Sequence, residues 1–210
     1  VAAASSSLSS YTRFGVVVPH TFASLTSMSM AELEEVLAKG TAPSPSTVCG
    51  AEFRGWNVFG NAMAATVGKV MGIQRFAKGF FVRDGDPDQA PFFEGYNVKI
   101  RRGGRDEPWA DLHDGTVTRH AFFRVHRPGE GNHGGRHPHA LLLDYSLGDP
   151  MPGLLDGKNL KDYFVHPEPG NRDLLLGKAY FILGPIVNAN FFVCERLRPA
   201  AFTPPPRTNP

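Results

Sequence analysis

The chain has 210 residues, of which 41% are hydrophobic, and a formal net charge of only +2, so it can bury a full core as one domain. Its basic residues are scattered apart from Lys99, Arg101, Arg102 and Arg105, which excludes the charge footprint of a nucleic-acid binder; no apolar run approaches the ~20 residues of a membrane-crossing helix. Glycine (23), proline (18) and phenylalanine (16) are abundant, a balance that favours short strands and many turns over long helices.

The chain opens at Val1 with a stretch of small residues to Ser10, of the kind left beside a processing site, which points to an exported or organelle-targeted protein (periplasm, secreted or plastid). Residues 1–28 read as an extended N-terminal arm, in which Tyr11, Phe14, Val16, Val17 and Val18 are expected to be buried against another surface. The domain proper is expected over residues 29–198. Ser29 and Glu32 form a capping box, Met30, Leu33, Val36 and Leu37 share one face, and Gly40 stands at the stop, predicting a helix over 30–39. A Pro-rich linker then leads to a first strand at Glu52–Asn57. Met63, Val67, Val70 and Met71 predict a short helix within 61–72.

From residue 76 the pattern changes to period two. Tyr96, Val98 and Ile100 fall on one face of a strand, and Ala121, Phe123 and Val125 oppose His120, Arg124 and His126 on another. Further strands are expected at Leu141–Leu147, Leu160–His166, Leu174–Leu183 and Phe191–Arg196, with Pro199 at the exit and a Pro-rich arm over 199–210. The separators between them carry turn chemistry. About seven or eight strands without intervening helices predict a mainly β fold, an antiparallel barrel or strongly curved sheet with one or two short N-terminal helices. If the barrel closes, its first and last strands are neighbours, so Cys49 and Cys194 form either a disulfide or two separate buried thiols.

Gly55-Trp56, following a helix and a Pro-rich linker, resembles the entry of lipocalin-type barrels, in which an indole closes the barrel base. The order Leu142-Leu143-Asp144-Tyr145, Leu160-Lys161-Asp162-Tyr163-Phe164, Asp173 to Ala179 and Phe191 to Arg196 is similar to the C-terminal half of small calycin-like proteins of the GXWXG type. That resemblance covers roughly residues 50–197 and implies a fold, since its members have no agreed biochemical role.

Several residues suggest chemistry. His133, His137 and His139 give a spacing that could close around a metal, but they lie in a Gly-rich stretch whose composition predicts a solvated loop, so no metal site is assigned. Asp144-Tyr145 and Asp162-Tyr163 on successive strands offer either general acid and base groups around a cavity or outward hydrogen-bonding partners. There is no nucleophile elbow, P-loop or dinucleotide fingerprint, and no catalytic residue or cofactor is assigned. The pairs Phe80-Phe81, Phe92-Phe93, Phe122-Phe123 and Phe191-Phe192 place a ring on each face of their strands, and the outer rings are expected to be covered by the helices at 30–39 and 61–72 or else by a partner protein or lipid.

The leading functional reading is a non-enzymatic barrel that binds a small apolar ligand (lipid, pigment or isoprenoid-like), with Trp56, Phe93, Tyr96, Phe123 and Tyr145 as its lining. Two readings from other classes stand beside it. One is an accessory subunit of a larger organellar or membrane-attached complex, held through its N- and C-terminal arms; the other is a cavity enzyme of isomerase or cyclase type that uses the Asp/Tyr pairs.

Overall fold

The computed structural model describes residues 19–113, 116–147, 159–183 and 186–204. Eight antiparallel strands form a closed barrel in simple chain order. They are β1 (Ala51–Val58), β2 (Arg75–Phe81), β3 (Phe93–Val98), β4 (Arg119–His126), β5 (Leu141–Asp144), β6 (Leu160–Val165), β7 (Leu174–Leu183) and β8 (Ile186–Pro199). The circle closes where β8 pairs with β1, with Gly55 opposite Cys194 and Trp56 opposite Val193. Closure removes the open edges that an eight-stranded sheet would otherwise expose.

Period-two alternation splits the apolar side chains into two separate layers. Ala51, Phe53, Phe80, Phe93, Phe123, Val125, Leu141, Leu143, Phe164, Leu175, Phe192 and Cys194 form one cluster that draws on all eight strands. It is the barrel interior, because it joins strands that are not neighbours in the sheet: the rings of Phe80 on β2 and Phe164 on β6 lie 5.4 Å apart. Phe81, Tyr96, Val98, Tyr163, Leu176, Phe191 and Val193 form the outer layer together with Leu33 and Leu37 of the helical preamble. The adjacent phenylalanines of Phe80-Phe81 and Phe191-Phe192 therefore serve both layers, one ring each.

Glycines make room for the large rings. Gly55, Gly95 and Gly177 stand directly opposite Phe76, Phe123 and Phe192 on the neighbouring strands. A Cβ on any of the three would fall within 2.0 to 2.4 Å of the facing ring, so each ring lies flat over a glycine backbone.

The preamble comprises α1 (Phe22–Leu25), α2 (Met30–Lys39), α3 (Pro45–Val48) and, between β1 and β2, α4 (Ala62–Met71). The predicted capping box starts α2: the Glu32 carboxylate accepts the Ser29 N–H at 2.8 Å and the Ser29 hydroxyl accepts the Glu32 N–H at 3.3 Å. Helix α1 lies in the stretch read as an extended arm. Its single turn carries almost no periodic signal, yet Phe22 and Leu25 are buried and the Phe22 ring meets Trp109 edge-on at 5.9 Å. Tyr11, Phe14, Val16, Val17 and Val18 lie outside the described residues, as do the turn at Gly184-Pro185 and the whole loop from Gly148 to Gly153.

The covering of the outer rings differs in part from expectation. Helix α2 buries Leu33 and Leu37 on the barrel, but α4 leaves Met63 79% and Val70 69% exposed. Much of the remaining cover comes from Trp109 in the β3–β4 connection and from Phe202, whose ring lies 4.9 Å from Tyr96 and 5.0 Å from Phe81. The start of the C-terminal arm is thus docked, with Arg119 donating to the Ala201 carbonyl at 2.8 Å. Strand β8 runs on past Arg196 to Pro199, because Arg198 is held by Glu52 at 2.7 Å and by Asp111 at 2.7 and 3.1 Å. No helix among the described residues is long and apolar enough to cross a membrane.

Candidate functional site

The two halves of the barrel interior are chemically different. At the end covered by α3, Phe80 is surrounded by Phe53, Phe93, Phe123 and Phe164 at ring distances of 5.9, 6.3, 5.9 and 5.4 Å. Val48 of α3 belongs to the same cluster and closes that end. Nearer the α4 end, the inward position between Phe76 and Phe80 is Lys78, and the one between Leu160 and Phe164 is Asp162. Strands β2 and β6 lie across the barrel from each other, and their ion pair spans it at 3.0 Å with both side chains almost completely buried.

Each donor of the ammonium has a partner. Lys78 donates to Asn97 Oδ1 at 2.9 Å, to the Tyr145 hydroxyl, and to Asp162 through the ion pair. Tyr145 in turn donates to Asp162 Oδ2 at 2.8 Å. The other carboxylate oxygen, Asp162 Oδ1, is buried without a hydrogen-bond partner. The Phe76, Phe123, Tyr145 and Phe192 rings lie 5.1 to 5.4 Å from Nζ, so the cation is also held among π faces. Burial alone would lower the Lys78 pKa, but the Tyr145 oxygen and the Asp162 carboxylate beside it outweigh burial and hold the ammonium above its ordinary range. This lysine is therefore a fixed cation and a poor nucleophile. Burial, reinforced by Asp162, likewise pushes the Tyr145 phenol up.

A bulge adds a histidine to this group. Gly95 pairs with Phe123 but Asn97 pairs with His120, so β4 carries an extra residue between the two pairs. Ala121, in that extra stretch, has φ of 49°, a left-handed conformation that is costly for alanine. The sequence pattern sets His120 opposite Ala121 and Phe123, whereas the bulge returns it to the inward side with Asn97. Burial, then the positive charges of Lys99 and Lys78, pushes the His120 pKa down to about 4, so the ring is neutral at ordinary pH. Around this group, Asn57, Phe76, Asn97, Leu160, Ala179 and Asn190 are only half-buried, in contrast to the sealed α3 end.

Of the residues named from the sequence as a ligand lining, Phe93, Phe123 and Tyr145 are inside the barrel, with Phe123 and Tyr145 at 5.0 Å. Trp56 and Tyr96 belong to the outer layer. The Trp56 indole therefore does not close the barrel base, and Tyr96 donates instead to the buried outer carboxylate of Glu52 at 2.9 Å. The Asp/Tyr pairs divide in the same way. Tyr145 and Asp162 meet inside, while Asp144 faces outward to Lys161 at 2.8 Å and Tyr163 donates to the His133 carbonyl at 2.6 Å. Lys78, Asn97 and His120 were missed as site residues. The available signal was parity: a charge inside an apolar inward register on two different strands, one of each sign.

The histidine loop is mostly exposed, as its composition suggests, but its histidines are held. His133 is 9% exposed, His137 shares a hydrogen bond of 2.7 Å with the Tyr180 hydroxyl, and His139 donates to the Leu37 carbonyl at 3.0 Å. These bonds fasten the loop to β7 and α2. Among the described residues no three His, Cys, Asp or Glu side chains converge as a metal-binding set. Cys49 and Cys194 are free thiols, each pushed up to about 12, chiefly by burial.

Among the described residues, two of the clefts lie outside the barrel. One, of about 480 Å³, runs along the β1–β8 seam by Glu195 to Pro199. The other, of about 390 Å³, lies between the last turn of α4 and the start of the β3–β4 connection, lined by Trp56, Lys69, Gln74, Arg75, Arg102 and Gly103 among others. Compared with known proteins, the chain matches no family model and no curated sequence.

Proposed function

We propose that the protein is a non-enzymatic carrier of a small, mostly apolar molecule with one polar group, such as a lipid, pigment or isoprenoid. The molecule enters the α4 end of the barrel and rests on the Phe80 cluster as a floor. The observation that carries this reading is Asp162 Oδ1, a buried acceptor without a partner, set beneath the half-buried apolar side chains of Phe76, Leu160 and Ala179. A ligand hydroxyl can donate to it, while the Lys78 and Asn97 groups around it fix orientation; few polar groups in an apolar lining are the usual composition of a ligand site. The closed eight-stranded barrel, a form consistent with calycin-like and lipocalin-like folds in general, supports this reading at the level of the fold.

Native mass spectrometry of protein purified from its own source, with titration of cis-parinaric acid and of retinol, tests the proposal. The expected result is one bound small molecule per chain, or saturable uptake of a probe that Ala179→Trp weakens on the order of tenfold without lowering the melting temperature. A chain that carries no small molecule and takes up neither probe overturns it.

A second reading is favoured by the contact of Tyr145 with Asp162: proton movement between Tyr145 and Asp162 on a bound substrate, beside the fixed charge of Lys78. Once a ligand is identified, its conversion by the native chain and loss of that conversion in Asp162→Asn would establish it; recovery of the ligand unchanged would exclude it.

A further inference from the structure

The α4 end of the barrel has a surface unlike the rest of the molecule. At 100° per residue, Met63, Thr66 and Val70 fall on one face of α4, opposite Gly68, which packs so closely on Phe59 that a Cβ there would lie 2.4 Å from the ring. Met63 and Val70 are 79% and 69% exposed, and Ile73, just beyond the helix, is 44% exposed. Among the residues of α4 whose side chains are described, Ala64, Ala65 and Gly68 face the barrel, while Met63 and Val70 point outward.

Basic side chains border one side of this apolar face. Lys69 on the flank of α4 and Lys99, Arg101 and Arg102 at the end of β3 are all exposed. Arg102 donates to the Val70 carbonyl at 2.9 Å, which fastens the basic strand end directly to the exposed turn of the helix. Lys69, Arg75 and Arg102 also line the cleft of about 390 Å³, with the Trp56 indole on one wall. The acids of the same connection are largely engaged: Asp111 with Arg198 at 2.7 Å, Asp106 with Arg105 at 3.2 Å, and Glu107 beside Gly103 and Arg75.

From this juxtaposition we infer that the α4 end is a docking surface for an anionic lipid bilayer. Met63, Val70 and Ile73 enter the headgroup boundary, while Lys69, Lys99 and Arg102 face lipid phosphates, with one headgroup seated in the cleft beside Trp56. An apolar helix face bordered by cations is the pattern of interfacial association. Each cation near an anionic leaflet strengthens binding about fivefold at low salt. The charge complementarity selects lipid over an apolar protein partner. The surface lies at the same barrel end as the half-buried mouth, but docking does not depend on whether the barrel holds a ligand.

Co-sedimentation of the full chain with two vesicle types, phosphatidylcholine alone and phosphatidylcholine containing phosphatidylglycerol, tests the inference. Binding is expected only to the second, falling on the order of tenfold or more between low and physiological salt. Lys69→Glu with Arg102→Glu should abolish it, and Val70→Asp should weaken it on the order of tenfold with an unchanged melting temperature. Ala179→Trp, which fills the barrel mouth, should bind vesicles like the native chain, so loss of ligand uptake and loss of docking remain separate results. No binding to anionic vesicles at low salt, equal binding to neutral ones, or full binding by Lys69→Glu with Arg102→Glu overturns the proposal. A co-purifying protein that shields α4 while vesicles fail to bind would assign the face to a protein partner instead.

Discussion

The two ends of the barrel interior solve the same packing problem with opposite chemistry. At the α3 end, aromatic rings fill the space, and Phe53, Phe80, Phe93 and Phe164 are each at most 1% exposed. At the α4 end a cation, a carboxylate, a phenol and an amide share it, under half-buried neighbours. Dense apolar packing is the more economical way to fill a narrow barrel, and a buried ion pair of this kind adds little net stability because desolvation offsets the attraction. The charged pair at this less buried end is where the ligand proposed above would be held.

Breaking the aromatic end should have the largest effect. Phe80→Ala removes the ring that touches Phe53, Phe93, Phe123 and Phe164, and is expected to cost about 4 kcal/mol in urea unfolding. Should the loss be under about 1 kcal/mol, the α3 end would not be the rigid half of the barrel. Breaking the polar end on one side comes next. Asp162→Leu strands the Lys78 ammonium in the interior and should cost about 3 kcal/mol, whereas the double substitution Lys78→Met with Asp162→Leu should recover most of that loss. A double variant as unstable as the single one would show that the pair itself holds the fold together.

Smaller effects sharpen the same contrast. Gly177→Val puts a side chain where the Phe192 ring lies and should cost roughly 2 kcal/mol through overpacking. The pH dependence of stability isolates His120. Its folded pKa lies below the ordinary 6.5, at about 4, so the unfolded chain binds a proton that the folded chain refuses. Its contribution is therefore complete above pH 6.5 and is lost as the pH falls toward about 4. Unfolding in urea at about pH 7 and about pH 5 should show a steeper loss in the native chain than in His120→Gln. Equal slopes would remove His120 from the buried group; His126, His133, His137 and His166, also lowered chiefly by burial, supply the remaining slope.

Much of the architecture was written locally. The Ser29 and Glu32 box, the bounds of β7 at Leu174–Leu183 and the double-sided phenylalanine pairs depend on neighbours within a few residues, so period and capping chemistry are enough to find them. What alternation leaves open is which face points inward, because a strand with a ring on each side offers two apolar faces. Closure decided that, turning Phe123 and Tyr145 inside and Tyr96 and Trp56 outside. Closure also brought Lys78 and Asp162 together from opposite sides of the barrel, and the bulge at Ala121 shifted His120 out of the simple alternation. The exposure of α4 depended likewise on the packing of Gly68 against Phe59. By itself the sequence determined where α2, α4 and most of the strands lie and which residues of a regular strand share a face; only the tertiary structure decided which face became the interior, because that choice is made by contacts between segments far apart in the chain.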